Sequence, residues 1–382
     1  MGLMNKYPRL TDLEAPAARR IPKFVFAYLD SGTGHDHAKD NNRAYLDGIE
    51  LTPKFMRGRV NPDLSTQMFG VTYNAPFGAA PVGLSSLIWP GAESILGAAA
   101  KAYGFPYILS TVAGESIEMV AQSAGEMAWF QLYAPKDRAI MKDLLRRAKK
   151  HGYQNLVVTA DVPAPSRREH MRIAGAPLGS RGNYSFTPRV IWQSILRPEW
   201  AVRTLINGGA RFRNMEPYAK QHGAGQITKF IGEQLNGSLD WDYLAEIRKS
   251  WDGKIFLKGI LHGQDAGRAV SLGIDGIVVS NHGGRQLDAA PAPLAKLAAI
   301  RATVGPDVPL VVDSGIYSGL DVVRALSAGA DFVLLGRGFM YAVAALGKKG
   351  GQHAATILLE EMRDVMAQLG LKTIDEVKQL NR

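Results

Sequence analysis

The chain has 382 residues, 46% of them hydrophobic and 21% charged, which is enough apolar content for a large core and too much for a disordered chain. Cysteine is absent, which excludes disulfides, thiolate zinc sites, cysteine-held iron–sulfur clusters and cysteine nucleophiles together. The formal net charge of +10 suits an anionic partner, whether nucleic acid or membrane, and the placement of that charge discriminates between them.

The N-terminus carries no apolar signal segment, and no stretch approaches about 18 uncharged apolar residues. Neither a secretory signal nor a transmembrane helix is expected, which points to the cytoplasm. Residues 1–75 contain a helix-like stretch around Ile21–Ser31 that would cap whatever follows. Eight short apolar runs then recur, each ending in polar residues or glycine: Phe77–Pro81, Tyr107–Ser110, Met127–Tyr133, Leu156–Asp161, Ile255–Lys258, Gly276–Ser280, Pro309–Asp313 and Phe332–Gly336. Runs of this kind read as strands buried on both faces. Helical spacing fills the intervals, as in Ala139–His151, Gln264–Leu272 and Gly319–Ala328. The fold class is therefore α/β: a (β/α)8 TIM barrel with an N-terminal helical cap, taken as one domain over residues 1–382. Residues 175–240 form a long insertion after the fourth run.

In such a barrel, functional groups gather where strands end at their C-termini. Ser110, Gln131, Tyr133, Thr159, Asp161, Lys258, His282, Arg285, Asp313 and Arg337 all stand there. Polar residues end strands in any protein, but a lysine and an aspartate closing apolar strands are costly unless paired or used. The sharpest motif is Ser280–Asp288 (SNHGGRQLD), whose glycines permit a tight turn with His282 and Arg285 on one side. An imidazole takes a proton near neutral pH, a guanidinium holds a carboxylate, and a carboxylate such as Asp161 raises the basicity of a nearby histidine.

This stretch resembles the signature of the FMN-dependent α-hydroxy-acid dehydrogenase and oxidase family, nearest its L-lactate dehydrogenase and mandelate dehydrogenase branch. Further similar stretches are YLDSG at 28–32, PVGL at 81–84, LSTV at 109–112, WFQLY at 129–133, TADVP at 159–163, RRE at 167–169, LKGI at 257–260, DSG at 313–315 and GR at 336–337. The resemblance implies oxidation of an L-2-hydroxy acid to the 2-oxo acid. It implies His282 as base supported by Asp161, a substrate carboxylate on Arg285, Tyr28 and Arg168, and Tyr133 on the substrate oxygen. Lys258 would stabilise the reduced flavin from its N1/C2 side. Ser110, Gln131, Thr159 and Ser280 would meet the ring's polar edge, while Pro81, Val82 and Gly83 would run past it near N5. Asp313 would meet the ribityl chain, and the amides of Gly315, Gly336 and Arg337 the phosphate. Taken singly, Tyr133 would be a core aromatic, Tyr28 helix packing, Arg168 a solvated arginine and 313–315 a turn.

Three departures stand out. Tyr317 occupies a position where relatives commonly carry a phosphate-binding arginine, Gly83 replaces the alanine of the oxidases, and Val112 replaces the tryptophan of glycolate oxidase. FMN binding is still expected. The chain ends at Arg382 without the longer tail of many relatives, yet a homo-oligomer, a tetramer, remains the expectation.

Half of the positive excess lies between Pro177 and Gly225, where seven basic residues meet two acids. Trp192, Ile195, Leu196, Trp200, Leu205, Ile206 and other apolar residues interleave with them over 186–213, a composition suited to an interfacial anchor at the inner face of the cytoplasmic membrane. The branch it resembles uses the matching insertion for membrane attachment and passes electrons to a quinone. The competing reading covers the barrel with those apolar residues and leaves the arginines solvated. No nucleic-acid-binding module is present, and the His35/His37 pair lacks metal-ligand spacing, so no metal is expected. Three alternatives remain: an oxidase that makes hydrogen peroxide, an aldolase or lyase with Lys258 as Schiff-base amine, and a non-catalytic binding protein.

Overall fold

The computed structural model describes residues 2–176, 187–209, 211–219, 227–235, 237 and 239–380. Ten strands are present among them. The first two, β1 (Thr66–Met68) and β2 (Val71–Tyr73), form an antiparallel hairpin. The other eight are β3 (Phe77–Ala79), β4 (Tyr107–Ser110), β5 (Ala128–Leu132), β6 (Asn155–Thr159), β7 (Lys254–Ile260), β8 (Gly276–Val279), β9 (Leu310–Val312) and β10 (Phe332–Leu335). They are all parallel and close into a barrel in chain order, β10 returning to β3. Each strand falls within or around one of the eight apolar runs, because a strand covered on both faces needs apolar residues at every position.

The hairpin was invisible to the apolar pattern, since its strands are only three residues long and half exposed. It plugs the N-terminal end of the barrel. Met68 and Tyr73 join Ile108, Trp129, Val157, Phe256, Val278, Val311 and Phe332 in an interior cluster, with Trp129 stacked on Phe256 at 5.1 Å and Tyr73 edge-on to Phe332.

Side chains two residues apart on a strand share a face. One step beyond that apolar layer, six strands therefore present Ser110, Gln131, Thr159, Lys258, Ser280 and Asp313 inward. The next step carries Val112, Tyr133, Asp161, His282 and Gly315 to the mouth. The barrel's chemistry is thus layered by strand periodicity, apolar at the plugged end and polar at the open one.

The expected cap helix spans Lys23–Asp30, and a second cap helix spans His37–Asp47. The insertion between β6 and β7 contributes helices Glu169–Ala174, Pro188–Ile195, Pro198–Ile206 and Ile227–Gln234, followed by the barrel helix Trp241–Ser250. Arg181, Phe186 and Lys220 lie outside the described residues.

Candidate active site

Two left-handed segments aim the mouth residues. His282, Gly283 and Gly284 all have positive φ, and a Cβ on Gly284 would meet the backbone of Lys39 at 2.6 Å. Asn281 stabilises this turn: its Oδ1 accepts from the Gly284 amide, and its side chain pairs reciprocally with buried Asn42 at 3.0 and 2.7 Å. On the neighbouring strand, β7 bulges at Gly259, φ +98°, where a Cβ would stand 2.5 Å from the Asp161 carboxyl carbon. Only glycine lets Asp161 lie flat against that strand.

Asp161 Oδ1 lies 2.8 Å from His282 Nδ1, and its buried Oδ2 has no hydrogen-bond partner but sits 3.8 Å from Lys258 Nζ. Lys258 Nζ also pairs with Asp313 at 3.2 Å and donates to Ser280 Oγ at 2.8 Å. Ser280 Oγ accepts from the His282 amide as well, so one serine ties lysine to base. Burial pushes the lysine down, but Asp313 and Asp161 outweigh it and hold its pKa above the ordinary lysine value. That environment favours the ammonium over the free amine that a Schiff-base aldolase needs.

Burial lowers the His282 pKa below that of an ordinary histidine; Lys258 and Arg168 push the same way, and Asp161 only partly opposes them. The imidazole is therefore neutral at neutral pH. Asp161 accepts the Nδ1 proton, which leaves Nε2 as the free lone pair facing the cavity, 3.5 Å from the Tyr133 hydroxyl. Burial opposes the charge of Asp161, but His282 and Lys258 keep its pKa below the usual carboxylate range.

Tyr28, Pro81, Val82, Gly83, Val112, Tyr133, Arg168, Lys258, His282, Arg285, Asp313, Gly315, Tyr317, Gly336 and Arg337 line one open cavity. Arg168 and Arg285 stand in it without a carboxylate within ion-pair distance among the described residues. Arg168 Nη1 is buried and unpartnered, so the solvated-arginine reading is wrong for it. Arg285 gives its hydrogen bonds to the carbonyls of Tyr28, Leu29 and Ser31. Burial, with Arg168 and Arg337 close by, disfavours its charge strongly. Since guanidinium does not deprotonate in proteins, this corner is short of an anion.

Some expected positions differ. Ser110, Gln131, Thr159 and Ser280 do not line the cavity. The first three are buried beneath it and bond to one another: Ser110 Oγ to Gln131 Oε1 and Gln131 Nε2 to Thr159 Oγ1, each 2.9 Å. The Tyr28 hydroxyl donates to the Gly83 carbonyl at 2.6 Å instead of pointing freely into the space. The Arg337 guanidinium bonds to the carbonyls of Asp30, Ser31 and Gly283. His35 and His37 are exposed, and no cluster able to hold a metal exists among the described residues.

The FMN-dependent dehydrogenase family matches the chain over residues 17–381. The chain belongs to this family. It is 40% identical to an L-lactate dehydrogenase of Ectopseudomonas mendocina over 369 residues and 38% identical to one of Pseudomonas entomophila over 374, with 96% of each chain covered in both cases. Among solved structures it is similar to the monotopic membrane protein (S)-mandelate dehydrogenase, with a TM-score of 0.90, 31% identity and 97% of both chains covered. A mandelate oxidase solved with (S)-mandelic acid gives 0.82, 31% and 98% of both. The protein is thus an oxidoreductase with FMN as its cofactor.

The donor set fits that cofactor. Lys258 supplies a fixed cation at the cavity floor, and Gln131, Ser110 and Thr159 offer both donors and acceptors just beneath it. Gly336 precedes and Arg337 begins the helix Arg337–Leu346, whose N-terminal amides would receive the phosphate. Tyr317 does not enter that site as a cation; its ring stacks on Tyr341 at 6.1 Å and 9°. A phosphate there is left to backbone amides, the helix end and Arg337.

Proposed function

We propose that this protein oxidises a small L-2-hydroxy acid to the 2-oxo acid and passes the electrons on to a quinone. One observation carries the reading: His282, held by Asp161, faces a corner where Arg168 and Arg285 have no carboxylate within ion-pair distance among the described residues. Those guanidiniums take the substrate carboxylate and replace the missing anion. The 2-hydroxyl then lies between Nε2 of His282 and the hydroxyl of Tyr133. Burial raises the tyrosine's pKa well above its usual value, so it stays protonated and donates to the substrate oxygen. Tyr28 orders the wall through Gly83, and donates to a carboxylate only by releasing that carbonyl.

The substrate gives up two electrons and two protons. Nε2 accepts one proton, and Asp161 stabilises the imidazolium that results. FMN, when bound, would supply the acceptor for both electrons and the remaining proton. Lys258, fixed between Asp313 and Asp161, stands ready to balance negative charge beside it. The reading takes residues 1–382 as one catalytic domain.

A membrane surface suits the acceptor half of the reaction. Among the described residues no helix is long and apolar enough to cross a bilayer. The helices Pro188–Ile195 and Pro198–Ile206 nevertheless leave Trp192, Leu205 and Ile206 exposed at 61, 78 and 78%, while Val190 and Trp200 are buried against the protein. The apolar residues thus divide between the two readings of the insertion, and the exposed set with its arginines fits a lipid interface. A tetramer remains part of the proposal.

The test is anaerobic addition of L-lactate, glycolate and L-mandelate, each beside its D-isomer where one exists, to the FMN-loaded protein. Bleaching of the flavin band by an L-acid is expected, followed by reoxidation with a quinone analogue. A stable flavin band with every acid would sink the reading. Rapid reoxidation by air with hydrogen peroxide would replace quinone by oxygen.

A further inference from the structure

The helix Lys23–Asp30 carries Tyr28, and neither of its ends is satisfied from within. At its C-terminus the carbonyls of Tyr28 and Leu29 accept from Arg285, that of Asp30 from Arg337, and that of Ser31 from both arginines. At its N-terminus the preceding residue is Pro22, whose side chain cannot cap. The amide of Phe24, in the first turn, has no carbonyl of its own helix to reach. It donates instead to Oε1 of Gln193, at 2.9 Å, from the helix Pro188–Ile195 of the insertion.

Gln193 is buried, and its other end is used as well: Nε2 donates to the carbonyl of Ala174 at 3.0 Å. Ala174 ends the short helix that begins directly after Arg168. One amide therefore grips both elements that bring substrate-facing groups to the cavity, the helix of Tyr28 and the helix following Arg168. Trp200 seats the same segment, with its ring edge-on to Phe24 at 5.9 Å and its N–H on the carbonyl of Leu87.

We propose that Gln193 is a positioning residue for the substrate pocket: through Phe24 and Ala174 it fixes the separation of Tyr28 and Arg168, and so ties substrate affinity to the seating of the insertion. It touches no reacting atom. A side chain of the same length without polar atoms leaves a buried N–H and a partly buried carbonyl without their partner, and both helices relax to find water. Tyr28 and Arg168 then lose register with each other, while His282, Asp161 and Lys258, which hang from the barrel strands, do not. The inference rests on the L-2-hydroxy-acid reading for its kinetic consequence.

The test compares FMN-loaded wild type with Gln193→Met and Gln193→Glu. For Q193M we expect KM for the L-2-hydroxy acid to rise about tenfold or more, with kcat within about twofold and FMN content unchanged. Q193E keeps the acceptor for Phe24 but loses the donor to Ala174, and should fall between. Hydrogen exchange gives a second readout that needs no turnover: Q193M should lose amide protection in both 23–31 and 169–174, with the strands unaffected. An unchanged KM overturns the proposal. So does a parallel loss of kcat and bound FMN, or faster exchange confined to 188–206. If wild type oxidises no L-2-hydroxy acid, the functional reading fails by itself, and the exchange pattern still decides whether Gln193 couples the two helices.

Discussion

Asp161 Oδ1 stands 2.8 Å from Nδ1 of His282, and this contact decides which imidazole nitrogen faces the cavity. Replacing Asp161 by asparagine allows the opposite tautomer, with a proton on Nε2 where a lone pair is needed. We expect His282→Ala and Asp161→Asn to slow flavin reduction about a hundred- to ten-thousandfold with FMN still bound. Stopped-flow reduction under anaerobic conditions measures it. The same geometry sets the pH profile. Because the His282 pKa lies below the ordinary value, the neutral form persists through neutral pH, and kcat/KM should fall only as pH drops below about 6.5.

Glu361 predicts a pH effect of opposite sign on stability. Its carboxylate accepts from the Gly319 amide at 2.6 Å, and burial, with Asp321 adding to it, pushes its pKa up to about 7. Between about 4.5 and 7 the folded protein holds a proton that the unfolded chain has released. Stability should therefore decline as pH rises through that window. Glu361→Gln should flatten the decline, by about 2 kcal/mol once partial solvent screening is allowed for. Urea unfolding at pH 4.5 and pH 7.5 measures the difference.

A methyl group on Gly83 would stand 2.8 Å from Cγ2 of Val112 and 3.5 Å from the Tyr28 hydroxyl. Gly83→Ala should displace Val112 or the strand end and cost about 1–3 kcal/mol in stability or substrate binding. The double variant Gly83→Ala/Val112→Ala should recover most of it, because the clash is with one side chain. Equal defects in the single and double variants would place the strain elsewhere.

The exposed apolar residues of the insertion give a binding prediction. Trp192→Glu, Ile195→Glu and Leu205→Glu together should reduce sedimentation with anionic vesicles at least tenfold while leaving thermal stability within a few degrees, since all three side chains face solvent. Unaltered sedimentation would exclude the membrane-surface reading.

The eight barrel strands, their order and the polarity of the mouth were legible because a strand buried on both faces must be apolar throughout. The residue that ends it is polar only where the barrel opens. The motif at 280–288 pointed to His282 and Arg285 through its resemblance to the family signature, its glycines by themselves marking only a tight turn. Asn42 and Gln193 were not legible. Each lies on an ordinary amphipathic helix, and its partner is 239 or 169 residues away, so no local pattern distinguishes it from a solvated amide.

The sequence by itself determined the barrel and the polar residues that close its strands, because strand periodicity is a local property that repeats every two residues. Only the tertiary structure decided how those side chains are used. It gave Tyr28 to the Gly83 carbonyl, stacked Tyr317 on Tyr341, and set Arg285 on the end of a helix from the far N-terminus. It also divided the insertion's apolar residues between protein and solvent. These outcomes depend on distances between segments distant in sequence, which hydrogen-bond satisfaction and packing fix only after the chain has closed on itself.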